Sequence, residues 1–409
     1  MKPLEDIRVL SVTVFLAGPF LSMTLARFGA EVIKVEMPGS GDPIRNIGPY
    51  TGPKGINPDR QTEEDLSIRF LKRSEGVKSV TLNLKDAEGK RLFLELAKQA
   101  DVVIENLSPG SMTGLGLGYE DVADVNPGIV YCSIAGYGQS GPYKDLPAHD
   151  HQIQAMSGIM DMNGAADGPP TRVGVFVGDL VTPLYAAYSI LGALRHKEKT
   201  GEGQHLDASM IDTLASLMFM EPMEHFLHEG LPPRSGNDSR NDLTGLYRLT
   251  DGDVIITIGN LARWQNLCRA LGADELLENA RYATAEGRER HTEELRREIQ
   301  DRFGKLDCET GIALLQDAGI PIARVRTLPE VMADDHFRDR GTLKPMYRHG
   351  SDQPVERGIV SGFPVTFSGG ALPQLEGGAM LGHHNEEVYA NLLGLDAAEL
   401  AELRKRGVL

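Results

Sequence analysis

Cysteine is scarce in this chain: Cys132, Cys268 and Cys308 are the only three among 409 residues. An odd number, this widely spaced, forms neither a disulfide framework nor a cysteine-rich zinc site. The eleven histidines include no HExxH pair and no Cys–His ligand spacing, so no metal is expected. Positive charge is also in short supply. With 42 Lys and Arg against 58 Asp and Glu the formal net charge is −16, which argues against a nucleic-acid partner. An anionic small ligand stays open, because a local basic cluster overrides the total. No apolar signal core follows the N-terminal "MKPLEDIRVL", and the expected location is the cytoplasm.

Long apolar runs are missing but for one. Residues 173–194, "VGVFVGDLVTPLYAAYSILGAL", reach membrane-spanning length, yet Asp179, Pro183 and three glycines interrupt them. No membrane partner is expected; the stretch reads as a buried strand running into a core helix. Its single carboxylate, with no basic residue in the run, poses the functional question, since an uncompensated buried charge costs several kcal/mol.

The remaining pattern is that of an α/β protein. "IRVLSVTVF", "AGPFLSMTLARFGAE" and "EVIKVE" read as strand, helix and strand, and "SVTLNL", "KDAEGKRLFLELAKQA" and "DVVIENL" repeat the order. "GIVYCSIAGYG" supplies a further strand. Such alternation implies a mainly parallel, Rossmann-like sheet with helices on both faces. The length suggests two domains. The expected division is a large domain over 1–227, a linker and small α/β domain over 228–330, and a C-terminal segment, 331–409, returning to the large domain. Residues 37–77 and 235–245 read as long loops of functional or mobile character. The charged stretch "GRERHTEELRREIQDRF" reads as a helix with a solvated face.

Candidate chemistry is sparse. "GYGQSG", residues 136–141, matches GxGxxG, but no helix pattern follows to hold a pyrophosphate. Glu36, after the second strand, mimics a ribose-binding acid, yet its βαβ turn "FLAGPF" has one glycine. Ser140 fits a turn better than a nucleophile elbow. In "AHDHQIQAMSG", Asp150 reads as an N-cap and His149 as a surface residue. Asp179 is different. Thr182 and Pro183 form a good Ncap–N1 pair, so a helix should start about three residues after it. Its positive end, beside the flexible Gly178, would favour the ionised carboxylate by about 0.3–1 kcal/mol. Asp179 is then either a nucleophile or base facing a cleft, or a capping residue.

The blocks "LAGPFLSMTLARFGAEVIKVEMPGSGD", "KSVTLNLK", "DVVIENLSPGSMTGLGLGYEDV", "NPGIVYCSIAGYGQSGPYKDLPAHDHQIQAMSG", "GDLVTPLYAAYSILGALRHKEKTGEGQHLDASMIDTL" and "LGHHNEEVYANLLGL" occur in this order. Together they resemble the family III CoA-transferases, the CaiB/BaiF family, over essentially the full length. The resemblance implies that Asp179 is a nucleophile that forms an acyl anhydride and then an aspartyl-CoA thioester, with His149, Asp150 and Gly178 supporting it. It places Leu16, Ala17, Asn106 and Leu107 beside coenzyme A, and offers Lys78 and Arg73 for its phosphates. Coenzyme A thioester enters as substrate, with no permanently bound cofactor. The partners implied are an acyl-CoA, succinyl-CoA first, and a small carboxylic acid. An interlocked homodimer, or a heteromer with a homologous subunit, is implied as well. Formyl-CoA transferases differ: they carry glutamine at Leu16, arginine at Gly114 and Tyr-Glu at His149-Asp150. Their glycine-rich loop is not evident in "SGNDSRNDLTG". The related α-methylacyl-CoA racemases use a His and an Asp as an acid/base pair, so a 2-methylacyl-CoA racemase using His149 and Asp179 is the alternative. They carry a glutamate where "IGNLARWQ" has Ala262.

Overall fold

The computed structural model describes residues 1–230, 234–239 and 242–409. Residues 231–233 and 240–241, within the expected linker and the 235–245 loop, lie outside the described residues. The chain divides into two compact units, one of residues 1–159, 173–222 and 335–409 and one of 160–172 and 223–334. Residues 160–172 thus group with the second unit, not with the large domain where the sequence reading placed them.

The first unit is built on six parallel strands: β1 Arg8–Val12, β2 Glu31–Glu36, β3 Val77–Thr81, β4 Val102–Glu105, β5 Val130–Ala135 and β6 Gln204–Ser209. Their order across the sheet is 3-2-1-4-5-6, the doubly wound arrangement. Successive residues serve opposite faces. Val9, Val32, Val102, Ile104 and Val130 pack with Leu21 and Leu25 of α1 (Ala17–Arg27) and Ala186 and Ile190 of the long helix Val177–Thr200. Leu10, Ile33, Val103 and Tyr131 pack with Leu92 and Phe93 of α2 (Ala87–Ala97) and with Tyr389 and Leu403 near the C-terminus. Both faces are dry, which is why β4 reads as an apolar run and β1 as nearly one. Each buried Leu, Ile or Val contributes about 1.5–3 kcal/mol.

The edge strand β3 is shielded by side chains from the C-terminal segment. The Ser79 amide donates to His384 Nδ1 (3.0 Å) and the Thr81 amide to Asn385 Oδ1 (2.8 Å), and the Tyr389 hydroxyl donates to the Thr81 carbonyl (2.7 Å). Edge groups left bare would invite another strand.

Three local expectations need correction. Residues 173–176 form no strand; the long helix begins at Val177, so Asp179 lies inside its first turn and Pro183 within the helix. Pro183 is the seventh residue of that helix, so it removes the interior hydrogen bond that its N–H would have made to the Asp179 carbonyl. Strand β6 escaped notice because "QHLDAS" is polar and only partly buried. The 37–77 stretch is not a structureless loop: Tyr50–Gly52, Gly55–Asn57 and Leu66–Ser67 form a small antiparallel sheet.

In the second unit an antiparallel sheet of Gly245–Arg248, Asp253–Ile256 and Ile322–Arg324 packs around Trp264, Leu295, Ile299 and Phe303. The charged stretch there breaks at His291 into two helices. Beyond its solvated face it buries Leu295, Ile299 and Phe303, so it is a core element too.

Candidate active site

Ligands of doubly wound sheets sit beyond the carboxyl ends of the strands where the order reverses, here between β1 and β4. The loops after those strands, residues 13–16 and 106–109, are locked together by one side chain. Asn106 accepts the Val14 amide at Oδ1 (2.8 Å) and donates from Nδ2 to the Val14 carbonyl (3.0 Å). Gly18 is needed for this approach, since a Cβ there would lie 2.5 Å from Thr13 and 2.8 Å from Asn106 Oδ1. Phe15 adopts a left-handed backbone (φ 63°), a conformation costly for a bulky residue. It is held by Asp42, which accepts its N–H (3.1 Å), and by Arg73, which donates to its carbonyl (2.7 Å).

Above this junction opens a cavity of about 740 Å³. Leu16, Ala17, Asn106, Leu107, Arg73, His149, Asp150 and Asp179 all line it, joined by Arg69 and Lys144. Asp179 stands at the junction of two helix starts. It belongs to the first turn of the Val177–Thr200 helix, and the Ala17 amide at the start of α1 is near enough to favour its charged form. Both helix ends favour negative charge. Burial and the neighbouring Asp150 carboxylate nevertheless outweigh Arg73, the Ala17 amide and His149, and push its pKa up to about 6. The sequence reading expected the helix end to favour the ionised form; burial and like charge decide the sum and raise the pKa instead. Among the described residues Asp179 makes no ion pair.

Asp150 is not the cap of its own helix. It is the first residue of Asp150–Met156, behind His149, and is almost wholly buried. Its Oδ1 accepts the amides of Gly178 (2.7 Å) and Asp179 (3.3 Å), so it caps the long helix instead. Gly178 permits this contact; a Cβ there would lie 3.0 Å from Asp150 Oδ1 and 3.1 Å from Met210.

Lys78 does not reach the cavity. It lies near the amino end of β3, at the opposite edge of the sheet from the crevice, and pairs with Glu31 (2.6 Å) and Glu387 (2.7 Å). The expected phosphate contact is corrected accordingly. Lys78→Ala should leave the KM for acyl-CoA within about twofold, by initial-rate kinetics, because no uniform binding is lost. Glu36 is also excluded from ribose binding, because its carboxylate is consumed by Arg45 (2.7 and 2.8 Å) and Ser79.

Arg69, Lys144 and Gln154 were missed by sequence reasoning, although the last two lie in stretches it singled out. Glu105 was missed as well. It closes β4, accepts the Leu107 amide (2.8 Å), and is pushed up to about 7 by burial despite the nearby Ser133. Away from the cavity, His349, His383 and His384 offer nitrogens within 4.8 Å of one another. His384 Nδ1 already accepts the Ser79 amide, so the neutral ring carries its proton on Nε2 and has no lone pair left for a metal.

Fold and cavity define an α/β protein with a carboxylate-bearing crevice of the kind that holds nucleotide-bearing ligands. The family model for CoA-transferase family III matches residues 4–385; the chain belongs to that family and is a CoA-transferase. It is 32% identical over 410 residues to succinyl-CoA:glutarate CoA-transferase of Mus musculus, covering 100% of this chain and 91% of the relative. It is 35% identical over 387 residues to succinyl-CoA:mesaconate CoA-transferase of Haloarcula hispanica, covering 92% and 94%. A CaiB/BaiF family protein from Brucella suis superposes with a TM-score of 0.82 at 32% identity, covering 95% of this chain and 99% of that one.

Proposed function

We propose that this enzyme moves CoA from succinyl-CoA to a second dicarboxylic acid through covalent intermediates on Asp179. The observation that carries the reading is the Asp179 carboxylate itself: cavity-lining, without an ion-pair partner among the described residues, and with the Ala17 amide near enough to favour its charge. In the proposed sequence an Asp179 oxygen attacks the thioester carbonyl. The C–S bond breaks, giving a mixed anhydride and CoA thiolate. The thiolate then attacks the aspartyl carbonyl, releasing succinate and leaving an aspartyl-CoA thioester. The acceptor carboxylate displaces the thiolate from that carbonyl to form a second anhydride. Attack of the thiolate on the acceptor's acyl carbon yields the new acyl-CoA and frees Asp179. Each step exchanges one acyl bond for another, so the thioester's energy is kept provided water stays out. The Ala17 N–H is placed to steady the oxygen that becomes negative at the aspartyl carbonyl.

Arg73 supports a dicarboxylate. It lines the same cavity and is close enough to Asp179 to act on its charge. Its guanidinium retains donors beyond the one given to Phe15, and such a fork matches a substrate's distal carboxylate. The relatives named above act, by their names, on succinyl-CoA with glutarate or mesaconate. The test is to incubate the protein with succinyl-CoA, quench with hydroxylamine and map the modified peptide by mass spectrometry. A hydroxamate at Asp179 is expected; turnover without it would overturn the mechanism. Arg73→Met should lower kcat/KM for succinyl-CoA by about tenfold or more, the cost of losing a charge-assisted hydrogen bond. Butyryl-CoA, without the distal carboxylate, should be affected much less.

A further inference from the structure

The four residues before the nucleophile helix, 173–176, belong to no strand, yet their backbone is partnered. Val173 donates its N–H to Gln154 Oε1 (2.9 Å), and the Val175 carbonyl accepts from Gln154 Nε2 (3.1 Å). One buried side-chain amide stands in for a neighbouring strand. The same Nε2 donates to Asp150 Oδ2 at 2.5 Å, while Asp150 Oδ1 holds the Gly178 and Asp179 amides. Gln154 has no solvent exposure and Asp150 only 2%. They lie at i and i+4 on one face of the short Asp150–Met156 helix, the spacing that lets two side chains meet. Every hydrogen-bonding direction of this clamp ends on the backbone that leads into Asp179 or on the carboxylate that caps its helix.

We infer that Gln154 is a positioning residue for Asp179: its amide fixes both the 173–175 backbone and the Asp150 carboxylate, and so aims the Asp179 carboxylate at the cavity. The inference rests on the reading of Asp179 as nucleophile. Gln154 touches neither the cavity nor the reacting atoms; its effect passes through Asp150 and the helix start. A displacement of about 1 Å at a reacting group can cost on the order of a hundredfold in rate, and three hydrogen bonds from one rigid amide suffice to prevent it.

The variants Gln154→Leu and Gln154→Glu, both close in size to glutamine, test this. Gln154→Leu should lower kcat for CoA transfer by about ten- to hundredfold, with KM for succinyl-CoA changed less than about threefold. The pH profile supplies a readout that simple destabilisation would not move. Asp179 feels Asp150, Arg73 and His149. Leucine releases the Asp150 carboxylate from its fixed approach, so the acid limb of kcat/KM should move to lower pH. Glutamate adds a negative charge beside Asp150, so the limb should move to higher pH. If Gln154→Leu does not fold, the upward shift in Gln154→Glu carries the test by itself. Wild-type kcat and an unmoved limb in the folded variants would overturn the inference, as would a change confined to KM. Hydroxylamine trapping on the wild-type protein separates the two readings. Failure to label Asp179 there refutes the nucleophile. Normal labelling with wild-type behaviour of the Gln154 variants refutes only the clamp.

Discussion

Asp179→Asn is expected to lower kcat for CoA transfer by at least about a thousandfold, the largest effect of any single substitution in this chain, since removing a covalent nucleophile can cost up to about a millionfold. An amide cannot give the anhydride, and the carboxylate that acts on Asp179 is not free to replace it. Asp150, the nearest, is committed to the helix amides and to Gln154. Binding should persist, so isothermal titration with free CoA should give a Kd close to that of the wild type. Wild-type kcat/KM should fall as pH drops through about 6, where Asp179 takes up its proton. That acid limb should disappear from any residual activity of the variant.

The variant should also be no less stable, and the sign follows from linkage. The folded pKa of Asp179 is raised to about 6, above the value of about 3.9 expected of an unfolded aspartate. Between those values the folded chain holds more protons than the unfolded one, so the contribution of Asp179 to stability falls as pH rises through the window. Above about pH 6 the whole penalty is present, and asparagine removes it. A thermal melt at pH 7.5 should therefore give a Tm for Asp179→Asn equal to or above that of the wild type. A large drop would show that Asp179 is a structural cap instead. Loss of rate without loss of stability is the signature of a strained functional group.

Arg45→Met should act in the opposite way, through stability. Arg45 grips the carboxylate of Glu36 with two hydrogen bonds, and both side chains are about 95% or more buried. Its guanidinium also lies 3.6 Å from the centre of the Phe70 ring, and it donates to the Ala379 carbonyl at 3.0 Å. Beside it, Lys34 and Asp42 form a second buried pair at 2.9 Å. Together the pairs fasten residues 42–46 to β2, and Asp42 in turn holds Phe15 at the rim of the cavity. Removing one partner of a buried pair strands the other, at a cost of about 3–5 kcal/mol.

That loss should appear as a lower urea midpoint followed by far-UV circular dichroism. The single tryptophan, Trp264, sits in the second unit and reports on the wrong part of the chain. The double variant Glu36→Met with Arg45→Met should recover a good part of the loss. The pH dependence follows from Glu36, which Arg45 and Lys34 hold below the ordinary carboxylate range despite its burial. Its contribution is full above the unfolded glutamate pKa and is lost as pH falls through the folded value. The wild-type advantage over Arg45→Met should therefore shrink in acid. An unchanged midpoint at neutral pH would mean that water or a relaxed backbone compensates Glu36.

The strand–helix alternation was legible because a parallel sheet buried on both faces needs apolar residues at nearly every position. β1, β2, β4 and β5 therefore stand out by composition alone. β6 did not, because its polar face escapes burial. Asp179 was legible as well, since a lone carboxylate in an apolar run needs a reason. Chemistry written in hydrogen bonds between distant residues was not legible. Asp150 looked like the cap of its own helix and caps another. Lys78 looked near the site in sequence but occupies the wrong end of its strand. Gln154 lay in a stretch singled out for its neighbours, without a signal of its own. Hydrophobic burial is set residue by residue and leaves a periodic trace along the chain. A hydrogen-bond partner depends on direction and distance within a few tenths of an ångström, and only the folded arrangement supplies those, as it does for Asp150 and Gly178, 28 residues apart.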